Sequence, residues 1–209
     1  MILKSSYAGD TVVPVNAELA SKRIIFLEGE IDQKQADKFA KEILYLVLTD
    51  SKKPIHLIIN SSGGEIDAGL KMCDIVSNCP CKVNAYCFSR AYSMAAVLFE
   101  SVNGDRCMVG HSKLMFHQPS VYGLKRDTAG EIEELSKQLS EKNDLLLSIV
   151  ADRCEWNLEK LKEETIADRF FDGEEATKLG LANQVITFGD LFRLCENKGV
   201  KENTRDGIE

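Results

Sequence analysis

Two short runs hold the residues in this chain best suited to chemistry. They are Tyr92-Ser93-Met94-Ala95-Ala96 and Met115-Phe116-His117-Gln118-Pro119. A serine hydroxyl is a weak nucleophile until a positioned base removes its proton. The chain has only three histidines, so candidates for that base are few. His56 stands at the start of an apolar run far from the serine in sequence, and His111 lies in a Gly-His-Ser turn. His117 closes an apolar run, and Pro119 holds the residue before it extended, so the chain continues outward past the histidine. The chemistry such a pair supports is hydrolysis by acyl transfer to Ser93.

The pattern around these runs alternates short apolar segments with amphipathic ones. Strands are expected at 23–27, 56–60, 83–88, 106–109, 113–116, 169–173 and 184–187, with a turn at Gly110-His111-Ser112 between the fourth and fifth. Ser61-Ser62-Gly63-Gly64 should end the second. Helices are expected at 32–49, 66–77, 94–100, 128–153, 158–165 and 174–179. This alternation argues for an α/β fold with a mainly parallel sheet and covering helices. The 128–153 helix would be on the order of 39 Å long, enough to project from the domain and pack on another subunit.

Ser93 would follow a strand and open a helix, where backbone N–H groups lack intrahelical partners and the dipole favours negative charge. The N–H of Met94 could then stabilise an oxyanion; a plain helix-capping serine is the other reading. Gly63-Gly64 lacks the phosphate-loop signatures. It either lets backbone N–H groups approach a substrate or simply makes a turn. A base needs an acid to orient it, and the chain has 33 acidic residues. Asp168, where a helix gives way to a short apolar strand, can point into a cleft or stand as a solvated loop residue.

Bulk properties narrow the class. The 209 residues suit one domain, and 44% hydrophobic with 28% charged residues is an ordinary globular mix. A net charge of −7 argues against a nucleic-acid surface. No run suits a membrane span or a secretory signal. Seven cysteines without a regular framework or zinc spacing read as free thiols in a reducing cytoplasm, with no metal site.

The sequence resembles the proteolytic-subunit family of the ATP-dependent Clp protease (ClpP), from about Ser21 to Thr187. The resemblance rests on five blocks in order: Arg23-Ile24-Ile25-Phe26-Leu27, Ile59-Asn60-Ser61-Ser62-Gly63-Gly64, Ala91-Tyr92-Ser93-Met94, Phe116-His117-Gln118-Pro119 and Asp168-Arg169-Phe170. It implies a single domain over 1–209, a ClpP/crotonase-like spiral of β-β-α units with a long protruding helix. Residues 1–20 would be a divergent N-terminal segment and 197–209 a flexible tail. Carried over by position, Ser93 is the nucleophile, His117 the base and Asp168 the orienting acid. Gly64 and Met94 supply oxyanion-hole N–H groups, and an extended substrate binds along Gly63, Ile66 and Ser120. The resemblance further implies a cytoplasmic endopeptidase of protein quality control that cleaves unfolded polypeptides inside stacked heptameric rings, a tetradecamer. It implies no cofactor in this chain, ATP being used by a partner AAA+ unfoldase.

The chain departs from the family pattern in three places. The surround of the serine, Ser89-Arg90-Ala91-Tyr92-Ser93-Met94-Ala95, has neither usual glycine, and the bulky Tyr92 is expected to narrow the site. The stretch after His-Gln-Pro, residues 120–126, holds one glycine where the family forms a ring-to-ring strand. Ile166 and Ala167 replace the polar residue and arginine that precede the family's aspartate and couple ring contact to catalysis. Three rival readings are a non-catalytic subunit of a mixed Clp assembly, a Ser-Lys peptidase of the signal-peptide-peptidase type, and an acyl-CoA hydratase or isomerase on the same spiral fold.

Overall fold

A computed structural model describes residues 1–6, 9–120 and 128–195. The stretch after Ser120 (121–127) and the polar tail (197–209) lie outside the described residues.

A six-stranded sheet organises the chain. Its strands are β3 (Ile24–Ile31), β4 (Ile55–Gly64), β5 (Val83–Tyr92), β6 (Arg106–Phe116), β7 (Arg169–Phe171) and β8 (Gln184–Ile186). They run in the order β3-β4-β5-β6-β7, and β8 pairs with β6. Every pairing is parallel except β6 with β7. Two further strands, β1 (Ile2–Ser6) and β2 (Gly9–Val13), form a separate antiparallel pair. With the short helix α1 (Val15–Ser21), they fill the N-terminal segment for which the apolar pattern gave no element.

Helices cross between the parallel strands: α2 (Gln33–Thr49), α3 (Ile66–Ser77) and α4 (Met94–Ser101). Strands buried on both faces read as continuous apolar runs, as Ile55 and Leu57-Ile58-Ile59 do in β4. The main core forms where α2, α3 and α4 pack on one face, around Phe39, Met72, Leu98 and Phe99. A smaller cluster lies around Ile58, Tyr86, Val109 and Ile186, with Leu191 from α8 (Phe188–Cys195) packed on it. That last helix was absent from the expected elements, being short and next to the polar tail.

The long helix, α5, spans Ala129–Ala151, slightly shorter than expected. Thr128 caps it and Glu131 closes a capping box, which fixes its start. Its buried residues all lie in the C-terminal half, at Asn143, Leu146, Leu147 and Val150. The N-terminal half projects, leaving Ile132 exposed. The remaining elements are α6 (Leu158–Glu164) and α7 (Gly173–Lys178).

Two expected breaks are not breaks. β4 runs on through Ser61-Ser62-Gly63-Gly64, and β6 runs through Gly110-His111-Ser112 as one strand of 11 residues. In both cases glycine in the left-handed region absorbs a bend within a strand: Gly63 at φ +92° and Gly110 at φ +59°. The pairing register shifts at the same level in three neighbouring ladders, between Glu28/Glu30, Ile59/Ser61 and Phe88/Arg90. The strands therefore bend together, and their C-terminal ends form a second, tilted platform.

Candidate active site

Register on that platform brings the separated runs together. Tyr92 of β5 is paired with Met115 of β6, and the Ser93 N–H donates to the Met115 carbonyl at 2.8 Å. Ser93 thus lies beside the end of β6, where His117 follows. On the far side β7 runs antiparallel, with Phe116 opposite Arg169, so the next positions outward are His117 and Asp168. The chain order serine, histidine, aspartate becomes a lateral order across three adjacent strands.

The side chains meet accordingly. Ser93 Oγ and His117 Nε2 are 2.8 Å apart. His117 Nδ1 lies 3.4 Å from Asp168 Oδ1, within ion-pair reach though longer than a good hydrogen bond. With the carboxylate facing Nδ1, the tautomer that satisfies both contacts carries its proton there. Nε2 is then free to accept the serine proton. Asp168 is more than half exposed and His117 about three-tenths.

Ser93 has φ +53° and ψ −126°, a strained conformation for a residue with a β-carbon. It sits at the N-cap of α4, yet its side chain makes no capping hydrogen bond. A plain capping serine would spend its oxygen on the helix; this one turns it to the histidine. Its carbonyl accepts from the N–H groups of Ala96 and Val97 at 2.9 and 3.2 Å, which begins the helix. Met94 is the first residue of α4, so its N–H has no intrahelical acceptor and stands next to Ser93.

The two glycines differ. A β-carbon on Gly63 would come within 2.7 Å of the Tyr92 carbonyl and 2.8 Å of Ser93 Cβ, so Gly63 is packed directly under the serine turn. Its N–H donates to Ser61 Oγ at 3.1 Å. Gly64 lies against β3 instead, where a β-carbon would meet the Ile31 carbonyl at 2.1 Å. A third glycine, Gly69 in α3, makes room for the Met94 side chain.

Beside Ser93 is a small, largely apolar cavity of about 30 Å³. Ile66, Met94, Val97, Phe116 and Pro119 line it together with Leu146, Leu147 and Asn143 from α5. The α5 residues were missed as site residues. Asn143 carried a signal, being a polar position on the apolar stripe between Leu139 and Leu146. Ser120 lies exposed at the end of the segment that leaves the site, three residues beyond His117. Tyr92 does not narrow this cavity as expected. Its ring packs edge-on against Phe170 of β7, at 5.5 Å between centroids, because a strand alternates its side chains and Tyr92 faces away from the Ser93 pocket.

The other nucleophiles and bases are placed elsewhere. His56 is buried, its Nδ1 2.9 Å from the Tyr86 hydroxyl. His111 sits exposed at the bend of β6. Burial pushes the Cys73 and Cys87 thiols up to about 12, which leaves them inert. Among the described residues no group of three or more His, Cys, Asp or Glu could hold a metal ion. Among them, too, no helix is long and apolar enough to cross a membrane.

The chain as a whole has known relatives. The family model described as Clp protease matches residues 8–188. The chain belongs to the Clp protease family. It is 35% identical over 176 residues to the ATP-dependent Clp protease proteolytic subunit 3 of Synechococcus sp. (strain CC9902), covering 84% of this chain and 88% of that one. It is also 35% identical over 176 residues to the proteolytic subunit 2 of Prochlorococcus marinus (strain MIT 9312), covering 84% and 86%. The parallel-dominated sheet with its crossing helices is the fold expected of a Clp protease subunit.

Proposed function

We propose that this chain is a serine endopeptidase, the proteolytic subunit of a Clp protease, with Ser93 as nucleophile, His117 as general base and Asp168 as the orienting acid. The observation that carries the proposal is the 2.8 Å approach of Ser93 Oγ to His117 Nε2 across paired strands, at a serine held in a strained turn. In acylation, His117 takes the serine proton as Oγ attacks the peptide carbonyl, then gives it to the leaving amine. In deacylation the same histidine takes a proton from water as the water attacks the acyl ester, then returns that proton to Ser93 Oγ as the ester bond breaks and the carboxylic product leaves. Asp168 stabilises the imidazolium formed in each half.

The Met94 and Gly64 N–H groups are assigned to the developing oxyanion, each donor contributing on the order of 10²–10³ in rate. The side chain before the scissile bond would enter the cavity between Ile66, Val97 and Leu147, where a modest apolar group fits. The peptide would lie extended alongside Gly63, Ile66 and Ser120, adding a strand to the bent platform.

The same reading makes the subunit part of an oligomer of stacked heptameric rings in the cytoplasm, with unfolded polypeptides delivered by an AAA+ Clp ATPase that uses ATP. The projecting half of α5 supports packing between subunits. The exposed Ile166 and its neighbour Ala167 offer no charges for ring-to-ring ion pairing, so contact there would be apolar. The test is native mass and peptide cleavage measured on one purified sample. The expected result is a ring-sized particle that cleaves, and a Ser93→Ala variant of equal mass that does not. A ring-sized parent particle without cleavage would make the chain a structural subunit instead.

A further inference from the structure

Glu100 is an acidic residue in the last turn of α4, with no exposed surface at all. Every residue of α4 is buried, and the helix begins at Ser93. One carboxylate oxygen, Oε2, is bonded to the Arg106 guanidinium. The other, Oε1, has no hydrogen-bond partner among the described residues, so Arg106 holds this carboxylate alone.

Arg106 does more than neutralise Glu100. Its Nη1 and Nη2 also donate to the carbonyls of Leu181 and Gly180 at 3.1 and 3.0 Å. Its backbone N–H donates to Asn183 Oδ1 at 2.7 Å, and its carbonyl accepts from the Asn183 N–H at 2.8 Å. Arg106 is the first residue of β6, the strand that ends at Phe116, just before His117. Gly180 and Leu181 follow α7, which follows Asp168 and β7. A single buried cluster therefore ties together the helix that starts at Ser93, the strand that leads to His117 and the segment downstream of Asp168.

We propose that Glu100 is a positioning residue: through Arg106 its carboxylate fixes the relative placement of the three segments that carry Ser93, His117 and Asp168. The proposal rests on the peptidase reading above. Glu100 touches neither the substrate nor the reacting atoms. It stands seven residues along the helix from Ser93, roughly 10 Å at 1.5 Å per residue. A buried carboxylate is costly unless paired, and removing one partner leaves the other unpaired. Such a pair tolerates one arrangement and penalises displacement, which suits a register lock. Small displacements matter at a catalytic centre, where a misplacement of about 1 Å can cost on the order of 100-fold.

The lock depends on charge. The groups that face Glu100 are Arg106 from β6, with Arg153 and Cys154 just beyond the end of α5. Burial raises the carboxyl to about 8, while Arg106 and then Arg153 pull it back. Removing either partner leaves the other buried without its counter-charge.

The test is the rate of Ser93 labelling by a fluorophosphonate, followed from pH 6 to 9 in the parent protein and in Glu100→Gln, with native mass recorded for both. The expected result is a labelling rate at least about tenfold lower in Glu100→Gln across the series, with the mass unchanged. Peptide cleavage should show the loss in kcat with KM nearly unchanged. Combining Glu100→Gln with Arg106→Gln should add little to the single loss, because the two act as one unit. A labelled parent beside an equally labelled variant with the same pH profile overturns the positioning role alone. A parent that is not labelled at Ser93 overturns the peptidase reading, and the role with it. If Glu100→Gln fails to assemble, Arg106→Lys carries the test: it keeps the charge but loses the planar fork, and a parent-like rate and profile there overturns the proposal.

Discussion

The central sheet has two ends, and they are built differently. At the N-terminal ends of its strands the pairing is regular. Arg23 sits there at φ +65°, held by guanidinium bonds to the carbonyls of Pro54, Leu46 and Lys53. His56 lies buried beside it, stacked on Tyr86. At the C-terminal ends every parallel ladder from β3 to β6 slips register. Ser89, Ser93, Gly63 and Gly64 there adopt left-handed conformations. One end turns its Arg23 and His56 side chains inward, onto backbone carbonyls and the Tyr86 hydroxyl. The other distorts its backbone and brings a serine and a histidine together beside a small cavity. The two histidines show the contrast most simply, since only His117 has a hydroxyl on one nitrogen and a carboxylate on the other.

Exchanging the histidines' fates is the harshest way to break this contrast. His117→Ala should lower kcat for peptide cleavage by about 10⁴–10⁶-fold with the melting temperature nearly kept. His56→Ala should leave kcat per folded molecule close to that of the parent but lower stability by about 1–3 kcal/mol, read by urea denaturation. Comparable loss of activity in both would erase the distinction.

The glycines give the next largest effect. Gly63→Ala drives a β-carbon into the Tyr92 carbonyl and the Ser93 turn, so a loss on the order of 100-fold in kcat is expected as the serine is displaced. Gly110→Ala also places a side chain at positive φ, but in open space. It should cost about 1 kcal/mol in stability and little activity.

pH separates the two ends more gently. Burial, and secondarily Arg23, lowers the pKa of His56 from 6.5 to about 4. The unfolded chain then binds the extra proton between those values, so the full contribution is present above pH 6.5. It is lost as pH falls toward 4, about 3 kcal/mol in all. Glu100 has the opposite sign: its pKa is raised from 4.5 to about 8, so its contribution declines as pH rises through that window. Urea unfolding from pH 5 to 8 should show stability improving toward acid in His56→Gln relative to the parent. The same series should show a flatter decline between pH 6.5 and 8 in Glu100→Gln.

The smallest effect is expected farthest from both ends. Thr128→Ala removes the capping box of α5 and should cost about 1 kcal/mol. Because the first half of that helix projects, hydrogen exchange should quicken there and leave the Asn143–Val150 half protected.

Much of this was legible in the sequence because it depends on local pattern. The apolar runs and helical periodicities located the strands and helices of the central layers. The resemblance blocks singled out Ser93, His117 and Asp168. What was not legible depends on pairing. Nothing local says that β4 continues through Ser61-Ser62-Gly63-Gly64, because a glycine pair that bends a strand looks the same as one that ends it. Tyr92 appeared to crowd the serine as a neighbour in sequence, whereas alternation along β5 sends its ring to Phe170. Glu100 at the end of an apolar helix gave no sign of its partner, since Arg106 meets it only once α4 and β6 are packed together.

The central claim is that Ser93 is a nucleophile activated by His117 at the bent end of the sheet. It is tested most directly by treating the purified protein with diisopropyl fluorophosphate and mapping the adduct by peptide mass spectrometry, in the parent and in His117→Ala. The account predicts a single phosphorylated residue, Ser93, in the parent, and labelling slowed by several powers of ten in the variant. An adduct on another serine, or labelling of Ser93 that proceeds equally fast without His117, would contradict it.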